Sequence, residues 1–216
     1  MLRTHLTPAT ERERIAPPWR VSVGSAAVLG LCSLRMDAPP TTTYLMLGER
    51  CTHNCAFCTQ ARDSQAEAGL LSRVSWPAFP ADLVRDRVRQ AYAAGETQRV
   101  CLQTVVVPGH VLRAEQAVAA LTDGAQSGAA PPICVCIAAR SLEEIARLLD
   151  AGAERVTIAL DAACARVAAQ AKGLACWEQA YSLLQRAATR YPGHIGTHLI
   201  AGLGETEEEM ISTLDA

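Results

Sequence analysis

The sequence predicts an α/β fold in which a parallel sheet is covered by helices, and three observations point there. Short apolar runs of strand length alternate with helical patterns from about residue 43 onward. The helical stretches carry readable ends, with capping residues before them and glycines after. With 216 residues, half of them hydrophobic, the chain can bury a sizeable core. Strands that alternate with helices pair in parallel through right-handed crossovers, which places helices against the sheet.

The first 20 residues, with Glu11-Arg12-Glu13-Arg14 and Pro17-Pro18, read as a polar arm before a body spanning residues 21–216. Val21 to Leu34 suits a short buried helix. Ser22, Gly24, Ser25, Gly30 and Cys32 interrupt that stretch, and it falls short of the ~20 apolar residues that a membrane span needs. Extended runs follow at Thr43–Leu47, Arg99–Val107, Ile133–Ala138, Arg155–Leu160 and Ile195–Ala201. Between them, Ala81–Ala94 places Val84, Val88 and Ala91 on one face and stops at Gly95, where a left-handed cap is cheap. Ser141-Leu142-Glu143-Glu144 is a capping box that opens a helix striped by Ile145, Leu148 and Leu149 and ended by Gly152. A further helix runs from about Cys176 to Arg190, and Thr206-Glu207-Glu208-Glu209 is a second capping box. Five strands are visible and a sixth is not, so the sequence is either a fragment or a shortened sheet.

The 20 basic and 22 acidic residues are interspersed and leave a net charge of -2, which offers nothing to a nucleic acid. The N-terminus lacks the ordered regions of a signal peptide, and a cytoplasmic location is expected. Nine cysteines in a reducing compartment point to metal, catalysis or buried packing before disulfides.

Three of them form Cys51-Thr52-His53-Asn54-Cys55-Ala56-Phe57-Cys58, directly after the first strand-like run. In parallel α/β barrels chemistry sits at the C-terminal ends of strands, which is where this loop falls. Thiolates are the usual ligands of iron–sulfur clusters, and three thiols on a four-iron cubane leave one iron open. The competing chemistry is zinc. A structural zinc site wants four ligands, commonly in two pairs, and His53 lies too close in sequence to its neighbours for good tetrahedral geometry.

The C-x3-C-x-aromatic-C pattern, with Phe57 in the aromatic place, resembles the signature of the radical S-adenosylmethionine superfamily. The resemblance implies a partial (β/α) parallel barrel, here truncated after about five strands. It implies that Cys51, Cys55 and Cys58 ligate a [4Fe-4S] cluster whose open iron is chelated by S-adenosyl-L-methionine. One-electron cleavage of the sulfonium would then release a 5'-deoxyadenosyl radical that takes hydrogen from an unactivated carbon, with the protein supplying geometry. His198-Leu199-Ile200-Ala201-Gly202-Leu203-Gly204-Glu205 resembles the superfamily's G-x-I-x-G-x-x-E segment, which helps form the adenine pocket. Ile200, Gly202 and Glu205 match, and His198 replaces the first glycine. Asp161 closes the fourth strand where related enzymes bind the cofactor ribose, a helix N-cap being the competing role. Lys172 could pair with the methionine carboxylate, although a solvated surface lysine is the stronger expectation.

The run Cys55 to Arg62, with Gln60 after the cluster loop, resembles biotin synthase and the biotin-synthase-like lipoyl synthases. That branch implies sulfur insertion, an electron donor of ferredoxin or flavodoxin type, a second radical subunit and a lipoyl-carrier protein. Cys101 and Cys134 stand where biotin synthase holds an auxiliary iron–sulfur cluster, and Cys136 shares the face of Cys134 by the period-2 rule. The next cysteine position of that cluster corresponds to Gly196, and its late arginine would lie beyond Ala216, so a cluster of the same type is not supported, though Cys136 or His198 could complete a different auxiliary iron–sulfur cluster. Alternatives are a rearrangement or other C–H modification, a degenerate paired subunit, and a zinc-binding module.

Overall fold

The computed structural model describes residues 17–123, 130–173 and 177–215. Most of the polar arm and Cys176 lie outside the described residues.

The described chain opens with strand β1 (Trp19–Val21), short helix α1 (Val23–Val28) and strand β2 (Thr42–Leu47). A small hairpin, β3 (Leu70–Leu71) with β4 (Val74–Ser75), and strand β5 (Ala78–Phe79) come next. Alternation then sets in: α2 (Ala81–Ala93), β6 (Arg99–Thr104), α3 (His110–Thr122), β7 (Ile133–Ile137), α4 (Leu142–Asp150) and β8 (Arg155–Asp161). The chain closes with α5 (Ala165–Lys172), α6 (Trp177–Arg190), β9 (Ile195–Leu199) and α7 (Glu207–Leu214).

Seven strands form one sheet in the order β5-β1-β2-β6-β7-β8-β9. The five expected strands, β2, β6, β7, β8 and β9, run parallel in chain order. β1 pairs antiparallel with both β2 and β5, so Trp19 and Arg20 belong to the sheet and not to a polar arm. The sheet does not close on itself among the described residues, because β5 and β9 are its two edges.

Helix ends follow the sequence with one refinement. Thr206 and Glu209 make a complete capping box at α7, the Glu209 amide donating to Thr206 Oγ1 at 3.1 Å and the Thr206 amide to Glu209 Oε2 at 2.8 Å. At α4 only half of the box forms: Ser141 Oγ accepts from the Glu144 amide at 3.3 Å, but the Glu144 carboxylate reaches the Arg140 amide at 2.7 Å.

Period-2 alternation divides the sheet into two unlike faces. Val100 and Leu102 of β6, Ile133 and Val135 of β7, and Val156 and Ile158 of β8 join one buried cluster. Their partners there are Val84 and Val88 of α2, Ala114 and Val118 of α3, Ile145 and Leu148 of α4, and Leu183 of α6. Each fully buried aliphatic side chain contributes roughly 1.5–3 kcal/mol, so this face carries the fold. The other face presents Cys101 and Gln103, Cys134 and Cys136, and Thr157. The helices thus cover one side of the sheet, and the second side is left for chemistry. No helix among the described residues is long and apolar enough to cross a membrane.

Candidate active site

The cysteine loop leaves β2 through Gly48, whose φ of +92° suits glycine and where a Cβ would stand 3.2 Å from that of Val105. Backbone bonds then pin the loop to three neighbours. The Thr52 amide donates to Val106 O at 2.8 Å, the Ala56 amide to Ala171 O at 2.7 Å at the end of α5, and the Cys51 amide to Gln60 O at 2.7 Å. Gln60, only 2 % exposed, donates through Nε2 to Ala68 O at 2.8 Å and Leu70 O at 2.7 Å, while its Oε1 accepts from the Arg50 amide at 3.4 Å. The glutamine after the loop is therefore a staple that ties the cysteines to the hairpin below them.

One cavity of about 480 Å³ is lined by Cys51, Cys55, Cys58 and Phe57 from this loop, by Asp161 from β8, and by His198 and Ile200 from the end of β9. Lys172, Gln103, Cys136 and Arg140 belong to its polar wall, and Met46, Val105, Ile137 and Ile158 to its apolar part. Gly202 and Glu205 stand outside it. Glu205 instead accepts from the Gly202 and Leu203 amides at 2.5 and 2.9 Å, so its carboxylate holds the turn after Ile200 in shape. Cys101 and Cys134 also lie off the cavity wall, although Cys136 is on it.

Asp161 is not a helix N-cap; Cys164 precedes α5 in that position. Its φ of +63° and the register shift between Ile158 and Asp161 turn the end of β8. There the carboxylate meets Lys172 Nζ at 2.8 Å through Oδ2 and His198 Nε2 at 2.7 Å through Oδ1. Lys172 is therefore no surface lysine. Its ammonium also donates to Ala159 O at 3.1 Å and Leu160 O at 3.2 Å, satisfying the strand end. Burial pushes the Asp161 carboxyl up, but the hydrogen bonds and charges of His198 and Lys172 outweigh it and hold the group below its usual range. The same bond to Asp161, with one to Cys136, raises His198 to about 9. An imidazolium thus stands where the resemblance has a glycine.

Burial raises Cys55 to about 11 and also lifts Cys58. Metal binding requires thiolates, so a cation must displace these protons. The distances distinguish one ion from a cluster. On a single tetrahedral ion, with metal–sulfur bonds of about 2.3 Å, the sulfurs stand about 3.8 Å apart. Among the described residues the one group of thiols, imidazoles or carboxylates with ligand atoms all within 4.8 Å of one another is Cys101, Cys134 and Cys136. The opening triad is more widely spread. Thiols that line one cavity without converging on one point fit a cubane, where each binds its own iron, better than zinc.

Sequence reading passed over Gln103 and Arg140 and took Lys172 for a surface residue. Gln103 and Arg140 lie near or just beyond strand C-terminal ends, so the positional rule that located the cysteine loop could have found them.

No curated protein matches the chain. Among solved structures it resembles HydG, a maturase of the [FeFe]-hydrogenase, with a TM-score of 0.63 and 13% identity over 80% of this chain and 38% of that one. The HydG maturase from Carboxydothermus hydrogenoformans gives a TM-score of 0.61 and 17% identity over 80% and 39%. The chain thus spans about two fifths of the length of these structures, and at such identity the likeness is one of fold: an open, partial α/β barrel. The sequence profile of the Radical SAM superfamily matches residues 45–216, most of the chain, and the protein belongs to that superfamily.

Proposed function

We propose that this chain is the barrel domain of an enzyme that reductively cleaves S-adenosyl-L-methionine and removes hydrogen from an unactivated carbon. The superfamily uses a [4Fe-4S] cluster and this cofactor, which when bound would supply one-electron cleavage of a sulfonium C–S bond. The observation that carries the reading is the single cavity into which Cys51, Cys55 and Cys58, Asp161, and Ile200 all project from separate segments.

Each group has a definite task. The three thiolates hold the cluster, and the Gln60 staple keeps their loop in place. Asp161, fixed by Lys172 and His198, retains acceptor capacity for ribose hydroxyls, since a carboxylate offers about four lone-pair sites. Phe57 and Ile200 give apolar surface to the cofactor, and Glu205 positions Ile200 and Gly202 through the loop amides. Met46, Val105, Ile137 and Ile158 exclude water from the reacting region.

Within this chemistry we favour sulfur insertion of the lipoyl- or biotin-synthase kind, in the cytoplasm, with a ferredoxin- or flavodoxin-type donor, a second radical subunit and a lipoyl-carrier protein as partners. Its support is the cysteine-loop resemblance together with the thiol-rich sheet face behind the cavity, where Cys101, Cys134 and Cys136 cluster. In the test, anaerobically reconstituted protein receives dithionite and S-adenosyl-L-methionine, and 5'-deoxyadenosine is counted by chromatography. The expected result is stoichiometric or greater release, reduced at least tenfold in Asp161→Ala at subsaturating cofactor. No release from a protein loaded with four irons would overturn the proposal.

A further inference from the structure

The second group of thiols is built unlike the first. Cys101 of β6 is the direct register partner of Cys134 of β7, and Cys136 follows two residues later on the same face. Three sulfurs from neighbouring strands therefore meet within 4.8 Å of one another. A single tetrahedral ion asks for about 3.8 Å between sulfurs, which small side-chain rotations supply. A four-iron cubane would ask the three to spread onto three different irons.

The surroundings are those of a ligand set. Gln103 Nε2 donates to Cys101 Sγ at 3.2 Å, and Thr157 Oγ1 lies 3.3 Å from Cys134 Sγ. Polar donors beside thiolates orient them and moderate their charge. Gly196 fits the same arrangement, because a Cβ there would stand 3.3 Å from Thr157 Oγ1 and crowd the hydroxyl that faces Cys134. Cys136 and Gln103 line the cavity while Cys101 and Cys134 lie behind it, so an ion held by all three has its free side toward the cavity. His198 touches Cys136 but is not part of the set, since neither of its ring nitrogens lies within 4.8 Å of all three sulfurs.

We propose that Cys101, Cys134 and Cys136 form a second metal centre that holds one thiophilic divalent ion, with an open fourth position toward the cavity for water or a substrate donor atom. Three thiolates select zinc or ferrous iron, and the usual affinity order places zinc first. Three protein ligands with one open position is the arrangement of catalytic zinc sites. The centre is independent of the proposed cofactor cleavage, which uses other cysteines, while the sulfur-insertion reading draws on these same thiols.

The test uses the full chain with Cys51→Ser, Cys55→Ser and Cys58→Ser combined, so that the first site cannot bind metal. Purified anaerobically and metal-free, it is titrated with Co²⁺ and then Zn²⁺. The expected result is one Co²⁺ per chain, with a thiolate charge-transfer band and tetrahedral ligand-field bands, displaced by equimolar Zn²⁺. Adding Cys134→Ser or Cys136→Ser should weaken binding at least tenfold, whereas Cys32→Ser should change nothing. X-ray absorption of the zinc-loaded triple variant needs no further substitution and should count three sulfur neighbours. Absence of stoichiometric binding, fewer than three sulfurs, or reconstitution of this group with two or more irons and matching sulfide would overturn the proposal. None of these outcomes touches the cofactor reading, whose cysteines are absent from the variant.

Discussion

Lys172→Met tests how the end of β8 is held. The substitution keeps the length and apolar stem of the side chain but removes the ammonium and its bonds to Ala159 O, Leu160 O and Asp161 Oδ2. The side chains of Lys172 and Asp161 are 15% and 13% exposed, so this pair is largely withdrawn from water. Breaking one partner of a buried pair costs roughly 3–5 kcal/mol. His198 remains on Oδ1 at 2.7 Å and carries part of the charge, which places the expected cost lower, at about 2–3 kcal/mol. For a chain of this size that loss lowers Tm by roughly 4–12 °C. Thermal unfolding of the metal-free protein, followed by circular dichroism, measures it. A double-mutant cycle with Asp161→Asn separates the pair from its parts, since removing both charges should cost less than the sum of the single changes. A Tm within about 1 °C of the parent, or strict additivity in the cycle, would refute the buried-pair account.

Two further outcomes are expected. Gln60→Ala leaves Ala68 O and the Arg50 amide without their side-chain partner; it should cost about 2–4 kcal/mol and hasten iron loss from the reconstituted protein, both read by unfolding and by iron release over time. Unchanged iron retention would show that the staple does not support the loop. Glu209 is held down at about 2, first by the hydrogen bond from Arg166 and then by the Thr206 amide and the Cys164 thiol. Its folded value lies below its ordinary 4.5, so the stabilisation is present above pH 4.5 and fades as pH falls toward 2. Glu209→Gln should flatten the acid limb of stability in that window, and an identical limb in both proteins would contradict the assignment.

The five parallel strands were legible because each carries an alternating or continuous apolar run bounded by helix signals. β1, β3, β4 and β5 were not, because pairings of two or three residues leave no period to read. Helix α3 was legible in principle, since Val111, Ala114, Val118 and Leu121 make a helical stripe, but no capping side chain marks its start at Gly109. At the site, spacing identified the cysteine loop and the period-2 rule placed Cys134 and Cys136 on one face. Lys172 was misread as a surface residue for a physical reason. Its partners are strand-end carbonyls and a carboxylate that only the turn at Asp161, with φ of +63°, brings within reach. Tertiary packing assigned that side chain, and no local pattern announces such a bond. The same holds for Asp161, whose N-cap reading rested on residue type alone.

The central claim is that the loop after β2 binds a cluster able to act on S-adenosyl-L-methionine. The direct measurement is iron content and the electron paramagnetic resonance spectrum of the anaerobically reconstituted, dithionite-reduced chain, with and without the cofactor, in the parent and in Cys55→Ala. The account predicts about four irons held by the opening triad of the parent, a spectrum that changes when the cofactor is added, and loss of both in the variant. An iron content untouched by Cys55→Ala, or a reduced spectrum indifferent to the cofactor, would contradict it.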